Sequence, residues 1–355
     1  MTLKAGIIAD DLTGALDVAA PFAERGLCTL VVLSPDGLDA HDAMLGAAEV
    51  VCINTASREI TAGEARRRVS AAAAALMVHE PTIVFKKIDS RLKGHVAVET
   101  GTMLEATGRM RALVAPAIPD MGRLVVDGAV TGMGVAETID VLARFGDLPV
   151  SAPDTPDVAA MDRAGSEVIA LGGTLLAVGA RGLAQSLARR YPARRTSPFT
   201  GPLPQPALIA IGSRDPITRG QIERLLRSTR PEHIAAPNGR VPAFTARRGL
   251  TLVTVEESGA EEAMAVVAAR FAEGIADAVR RTPPASMLIS GGETAQAILT
   301  RLGVTILELG GEALPGIPFA TALIGGQQVV ILTKSGGFGT PETISLLAGE
   351  PVELN

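Results

Sequence analysis

Short apolar runs alternate with stretches of helical period along the first 190 or so residues of the chain. Gly6–Ala9, Thr29–Leu33, Val50–Ile53, Thr82–Phe85 and Ala112–Ala115 read as strands. Between them, Gly14–Arg25 is closed by Gly26, Thr61–His79 carries an Ala-rich face, and Val96–Thr107 precedes Gly108, so each has a helix start or stop signal. The Ala71–Ala75 run falls inside the second of these helices, where helix propensity accounts for it. Strands alternating with helices predict a mostly parallel sheet with right-handed crossovers.

The period then lapses over Pro192–Pro206, a proline-rich stretch with an Arg pair that reads as an interdomain linker. A second alternation follows. Ala207–Ile211, Leu252–Val255, Met287–Ile289, Val304–Leu307 and Val329–Leu332 are its strands, and Thr218–Arg227, Ala260–Val279, Ala295–Leu302 and Pro341–Leu347 its helices. The pattern therefore predicts an α/β protein of two domains, residues 1–191 and 207–355, each a mostly parallel sheet flanked by helices. No repeat of solenoid period is present.

Composition narrows the ligand. Hydrophobic residues make up 47% of the 355 and charged residues 20%, with no Trp and one Tyr, so the core must be built from Ala, Val, Leu and Ile. A net charge of −5 argues against a partner bound through phosphate neutralisation, and the scarcity of aromatics removes base-stacking platforms. A small molecule fits better than a nucleic acid. Cys28 and Cys52 form no CxxC pair and read as buried thiols. The N-terminus has no basic n-region, and no apolar stretch approaches the ~18 residues of a membrane span, so a cytoplasmic protein with no membrane partner is expected.

Polar segments follow three strands of the first half: Asp10-Asp11-Leu12-Thr13-Gly14, Asn54-Thr55-Ala56-Ser57-Arg58, and Lys86-Lys87-Ile88-Asp89-Ser90-Arg91-Leu92-Lys93-Gly94. In a parallel sheet they converge on the crevice beyond the strand ends, where ligands bind. Paired acids there suit a proton acceptor or a Mg²⁺ ligand. Arg58 and Lys87 are candidates to hold a carboxylate, and Thr13, Ser57 and Ser90 to bond sugar hydroxyls. In the second half, Gly212-Ser213-Arg214-Asp215-Pro216, Ser290-Gly291-Gly292-Glu293-Thr294-Ala295 and Lys334-Ser335-Gly336-Gly337-Phe338-Gly339-Thr340-Pro341 each lead from a strand into a helix. Such turns can cradle phosphates with backbone N–H groups and a helix dipole. The P-loop, GxGxxG, HExxH and GxSxG motifs are absent, and His41, His79, His95 and His233 lack ligand spacing.

Taken in order, these segments resemble the four-carbon acid sugar kinase family over almost the whole chain. Ile8–Ala15 is similar to its opening motif, and Lys86–His95 to its KKIDSTLRGN-like segment. Val178–Ala184 is similar to the end of its sugar-binding domain, while Gly212-Ser213, Gln221-Ile222, Ser290–Ala295 and Lys334–Gly339 are similar to its nucleotide-binding domain. Arg91, Lys93 and His95 depart from that pattern, beside the acid-sugar segment.

The resemblance implies an N-terminal domain holding the acid sugar, a C-terminal domain holding ATP, and phosphoryl transfer across the cleft between them with Mg²⁺ neutralising charge. It implies substrate contacts from Asp10, Thr13, Ser57, Arg58, Lys87, Ser90 and Arg91, and nucleotide contacts from Ser213, Gly291, Gly292, Glu293, Thr294, Gly336 and Gly337. The catalytic base falls to Asp11, beside a helix start, or to Asp89, among cations. The favoured product is the 4-phosphate of a threonate- or erythronate-type acid. A 3-oxo-tetronate or a branched oxo-acid such as oxo-isoapionate is the alternative substrate, and a non-catalytic acid-sugar sensor the alternative of another class. A hydroxy-acid dehydrogenase is disfavoured by the missing dinucleotide fingerprint. The oligomeric state, homo-oligomer included, stays open.

Overall fold

The computed structural model describes residues 3–36, 42–246, 248–259 and 262–350. The chain divides into two compact units, Met1–Thr196 and Ser197–Asn355. The first opens with β1 (Ala5–Ala9), α1 (Leu12–Glu24), β2 (Thr29–Val32), α2 (Asp42–Ala47), β3 (Val50–Asn54), α3 (Ala62–Met77) and β4 (Ile83–Lys87). It continues with α4 (Val96–Thr107), β5 (Arg111–Ala115), β6 (Arg123–Val126), β7 (Ala129–Gly132), β8 (Ile139–Asp140), β9 (Val150–Ser151), α5 (Val158–Leu171), β10 (Leu175–Gly179) and α6 (Arg181–Ala188). Its main sheet runs β2-β3-β1-β4-β10-β5-β9, all parallel. Every residue of β1, β3, β4 and β10 is buried, as befits strands covered by helices on both faces.

The helix signals act as caps. Asp11 accepts from the backbone N–H of Gly14 at the start of α1, Thr61 caps α3 by accepting from Glu64, and Gly108 ends α4 in the left-handed conformation. Three parts of this unit escape the apolar pattern. Strand β10 follows α5 so closely that its Leu-Leu-Ala-Val run blends into the helical period. Strand β9 is two residues long, and β6, β7 and β8 form a separate small antiparallel sheet whose strands are short and half-exposed. The thiols differ as well: Cys52 is buried in β3, but Cys28 is exposed, one residue before β2 begins. Part of the proline-rich stretch is ordered against the first unit, where Arg194 binds both oxygens of Glu49 at 2.7 and 3.0 Å. Burial alone would raise the Glu49 carboxyl, but hydrogen bonds from Arg194, Lys4 and the Cys28 N–H bring it to about 2.

The second unit comprises β11 (Ala207–Ile211), α7 (Pro216–Ser228), β12 (Glu232–Pro237), β13 (Leu250–Glu256), α8 (Met264–Arg281) and β14 (Ser286–Ser290). Then come α9 (Gly292–Arg301), β15 (Ile306–Leu314), β16 (Ile317–Ile324), β17 (Gln327–Lys334) and α10 (Thr343–Leu347). Strands β12-β13-β11-β14-β17 are parallel, and β17-β16-β15 continue as an antiparallel meander. Strand β16 is an addition to the expected set. Its Gly325-Gly326 turn into β17, both residues at positive φ, is a readable hairpin signal. Strand β12 is a partly exposed edge with little β-branched character, which is why the pattern passes over it. The helix expected from residue 260 begins at Met264; Ala260 itself, like His41, lies outside the described residues.

Both units share a topology: β2-β3-β1-β4 in one, β12-β13-β11-β14 in the other. The first strand of each unit leads toward the sheet's edge, and the chain later crosses back to the first strand's other side. The ends of β1/β4 and of β11/β14 are therefore topological switch points, where an open α/β sheet leaves a crevice.

Candidate active site

In the first unit, Asp10 and Asp11 leave the end of β1, and Lys87 ends the neighbouring β4, in register with Ala9. Arg58 arrives from the turn after β3, whose backbone N–H groups at Ser57 and Arg58 donate to the Asp10 carbonyl at 2.9 and 3.3 Å. Arg58 spends all three guanidinium nitrogens on the acids: Nε on Asp10 at 2.7 Å, Nη1 and Nη2 on the two Asp11 oxygens at 3.0 Å each. Lys87 Nζ bridges Asp10 Oδ1 at 3.1 Å and Asp11 Oδ1 at 2.7 Å. Gly14 makes room for it, since a Cβ there would lie 1.8 Å from Lys87 Nζ.

Charge balance follows. Burial alone would raise the Asp10 carboxyl, but Lys87, Lys86 and Arg58 hold it well below the usual carboxylate range. The same acids outweigh burial at Lys87 and Arg58 and keep both cations charged. Asp10 is only 3% exposed, whereas the Asp11 side chain is 27% exposed and, among the described residues, its Oδ2 accepts from Arg58 alone. Asp11 is thus the carboxylate of this pair that a ligand can reach.

Ser57 lies behind the crevice instead of in it. It is fully buried, its hydroxyl donating to Glu99 Oε1 and sharing a 2.7 Å hydrogen bond with Thr55. Glu99 also pairs with Lys86 at 2.7 Å, both side chains out of solvent. Sequence reasoning passed over this Lys86–Glu99 pair because nothing in a helix-borne Glu marks it as buried. Asp89 stands at the rim: its Oδ1 accepts from the N–H groups of Arg91 at 2.9 Å and Lys93 at 3.4 Å, and its Oδ2 lies 3.9 Å from Arg58. Ser90 accepts from Arg123 Nη1 at 2.6 Å, bringing the small sheet to the site. Thr13 sits half-buried in the first turn of α1, and His95 hydrogen-bonds the Ile60 carbonyl.

In the second unit, Ile211, Ser290 and Lys334 occupy one row across β11, β14 and β17, so the three glycine turns leave the sheet side by side. Their glycines pack closely against side chains of the neighbouring turns. A Cβ on Gly212 would meet Thr294 Oγ1 at 2.2 Å, one on Gly291 would meet it at 3.0 Å, and one on Gly336 would meet Ser213 Oγ at 2.4 Å. Gly337 faces Asp215, which caps α7 through the Ile217 N–H at 2.9 Å, and Gly292 and Glu293 open α9. The turns thus bring Ser213, Gly291, Thr294, Gly336 and Gly337 together, with Glu293 exposed beside them.

A buried lysine organises the third turn. Lys334 Nζ donates to Thr218 Oγ1 at 2.9 Å and to the carbonyls of Ser335, Gly336 and Phe338 at 3.0, 3.1 and 3.1 Å. Burial lowers its pKa to about 8, only partly opposed by Asp215. Gln221 fixes the same turn through the carbonyls of Phe338 and Thr340. The Ser290 hydroxyl at the turn's root is buried without a partner among the described residues. Beside Ser213, a cavity of about 280 Å³ lies between Ile211, Ile222 and Val255, with Arg214, Arg219 and Glu257 at its edge.

Residues 5–159 match the family described as sugar-binding N-terminal domain, and residues 208–344 match that described as nucleotide-binding C-terminal domain. The chain belongs to the four-carbon acid sugar kinase family. It is a phosphotransferase acting on an alcohol group. It is 29% identical to the D-threonate kinase of Bordetella bronchiseptica, covering 96% of this chain and 95% of that one. It is 26% identical to the 3-oxo-tetronate kinase of Cupriavidus necator and to the D-erythronate kinase of Heliobacterium modesticaldum, each alignment covering 95% of this chain and 94% of the relative. A solved chain from Salmonella typhimurium LT2 shares the fold at TM-score 0.74 and 19% identity, covering 98% of this chain and 99% of that one. A Bordetella bronchiseptica chain crystallised as a domain-swapped dimer with bound citrate aligns at TM-score 0.50 and 25% identity, over 98% and 97% of the two chains. Among the described residues no helix of this acid sugar kinase is long and apolar enough to cross a membrane.

Proposed function

We propose that this protein transfers the terminal phosphoryl group of ATP to the terminal hydroxyl of a four-carbon aldonate of the threonate or erythronate type, giving the 4-phosphate. The observation that carries it is the row of three glycine turns at the β11/β14/β17 ends, each leading from a strand toward a helix, in which Gly212 and Gly336 have no room for a Cβ. Backbone N–H groups at helix starts suit the phosphates of a nucleotide. The residues assigned to ATP are Ser213, Gly291, Gly292, Glu293, Thr294, Gly336 and Gly337.

The first unit, on this reading, binds the acid sugar. Asp11 accepts the proton of the attacking hydroxyl, while Asp10 stays ionised and holds Lys87 and Arg58 in place. Asp89 orders the Ser90–Lys93 turn through its backbone contacts. Lys87 and Arg58 hold the Asp11 carboxylate in place for that proton transfer, because phosphoryl transfer rests on positioning and electrostatics. Mg²⁺ binds largely to phosphate oxygens and water, with one or two protein carboxylates. Asp215, facing Gly337, and Glu293, at the start of α9, are carboxylates beside the glycine turns that fit that habit. Bound there, the ion would neutralise developing phosphate charge.

A 3-oxo-tetronate is the second substrate reading, supported by the names of several relatives. We also propose a cytoplasmic homodimer, for which the dimeric Bordetella chain is the support. The test is ADP release with a panel of threonates, erythronates, 3-oxo-tetronates and branched oxo-acids. Turnover of one C4 acid with ATP and Mg²⁺ is expected. No turnover with any of them would overturn the assignment.

A further inference from the structure

Arg58 and Lys87 are already engaged by two carboxylates of the protein, three of the five Arg58 donors and two of the three on Lys87 being turned on Asp10 and Asp11, so little of their charge is left for a substrate carboxylate. An acid sugar still brings a carboxylate that needs a cation. The small β6–β7–β8 sheet supplies one.

Arg123, the first residue of β6, is fixed by backbone hydrogen bonds in both directions with Ile118, at 2.8 and 3.2 Å. Its side chain turns onto the β4 rim, Nη1 donating to Ser90 Oγ at 2.6 Å and Nε to the Met133 carbonyl at 2.9 Å. The loop over it is shaped for the purpose: a Cβ on Gly134 would stand 2.9 Å from Arg123 Nη2, and one on Gly132 would strike the Gly122 carbonyl at 2.1 Å. Arg91, from the same rim, reaches the Gly134 carbonyl with Nη1 at 3.4 Å.

Two arginines thus meet on one short loop and one serine. Among the described residues neither pairs with a carboxylate within 4.0 Å, and Arg123 Nη2 and Arg91 Nε and Nη2 have no acceptor. Burial and the Arg91 charge both depress the Arg123 guanidinium, against a weaker pull from Asp89, so an added anion would be welcome. The contrast with Arg58 is one of saturation. Where the Arg58 cluster balances two acids with two bases, this pair carries two positive charges against the single carboxylate of Asp89.

We propose that Arg123 and Arg91 form the clamp for the substrate's carboxylate, leaving Asp11 to meet its hydroxyl end. The inference rests on the acid-sugar reading of the first unit. A planar guanidinium with free N–H groups matches a carboxylate bidentately, which a lysine in its place does not. The clamp also explains why a sheet of such short strands is attached to this rim at all: it delivers one arginine.

The experiment is calorimetry of the best C4 aldonate, without nucleotide, on the full-length wild type, Arg123→Ala, Arg123→Lys and Arg91→Ala, paired with steady-state kinetics. At least a tenfold loss of aldonate affinity is expected for Arg123→Ala, with Arg123→Lys only partly restoring it and ATP KM unchanged. The tetritol that carries CH₂OH in place of the carboxylate should bind wild type and variants alike. Aldonate affinity within twofold of wild type in both Arg123→Ala and Arg91→Ala overturns the clamp, as does an equal loss for the tetritol. Should Arg123→Ala not fold, Arg91→Ala and Arg123→Lys decide by the same measure. Absence of turnover by wild type that nevertheless binds aldonate through Arg123 would refute the kinase reaction while leaving the clamp standing.

Discussion

The two switch points of this molecule are built on the same strand order yet filled in opposite ways. At the β1/β4 ends the crevice holds Asp10, Asp11, Arg58 and Lys87, which neutralise one another before any ligand arrives. At the β11/β14 ends there is no cluster of paired charges, only glycine turns with small hydroxyl side chains, in which Thr294 and Ser213 leave no room for a Cβ on Gly212 and Gly336. The buried lysines beneath them differ in the same sense. Lys86 is paired with Glu99, whereas Lys334 has hydroxyl and carbonyl acceptors only. A shared topology therefore fixes where a ligand sits, and the residues at the strand ends fix what it is. Preorganised opposite charges suit a small polar acceptor, and bare backbone suits phosphate oxygens.

The largest expected break in this contrast is at Glu99. Glu99→Leu leaves Lys86 charged and buried, and should cost roughly 3–5 kcal/mol in urea unfolding, while Lys86→Met/Glu99→Leu recovers most of it. A loss below 1 kcal/mol would mean that the first unit does not depend on its buried pair. Next is the base. Asp11→Asn should lower kcat by ~10²-fold or more with little change in ATP affinity, and Asp89→Asn should act chiefly through KM. Near-normal kcat for Asp11→Asn together with a collapse for Asp89→Asn reverses the two roles.

The second unit should show its lysine on the alkaline side. The unfolded chain holds the Lys334 proton up to its ordinary 10.5, the folded chain only up to about 8. Between those values the unfolded state binds more protons, so stability rises with pH, by on the order of 2–3 kcal/mol from this group. Thermal melts of wild type and Lys334→Met from pH 7 to 10.5 should differ in that slope, and identical slopes would count against it. The smallest effect sharpens the ligand side: Gly336→Val pushes a side chain onto Ser213 and should weaken ATP binding about tenfold, an affinity change on the order of 1.4 kcal/mol. Aldonate affinity, measured in parallel, should not move.

Much of this was legible along the chain. Continuous apolar runs mark β1, β3, β4, β11 and β14, because a strand covered on both faces has no polar face to interrupt it. The capping roles of Asp11, Thr61 and Gly108 are local chemistry, decided within a few residues, and the glycine turns announce themselves for the same reason. Strand β10, the small sheet and β12 were not legible, being short, exposed or continuous with a neighbouring helix.

By itself, then, the sequence determined the alternation of elements, the polar strand ends and the family. Which charges cancel was decided only by the tertiary structure. Nothing in the spacing of Asp10, Arg58 and Lys87 says that they consume one another's hydrogen bonds, that Ser57 turns inward to Glu99, or that Arg123 folds back onto Ser90. Those outcomes depend on residues 33 to 77 positions apart meeting across a sheet, and electrostatic partnership is a property of distance in space.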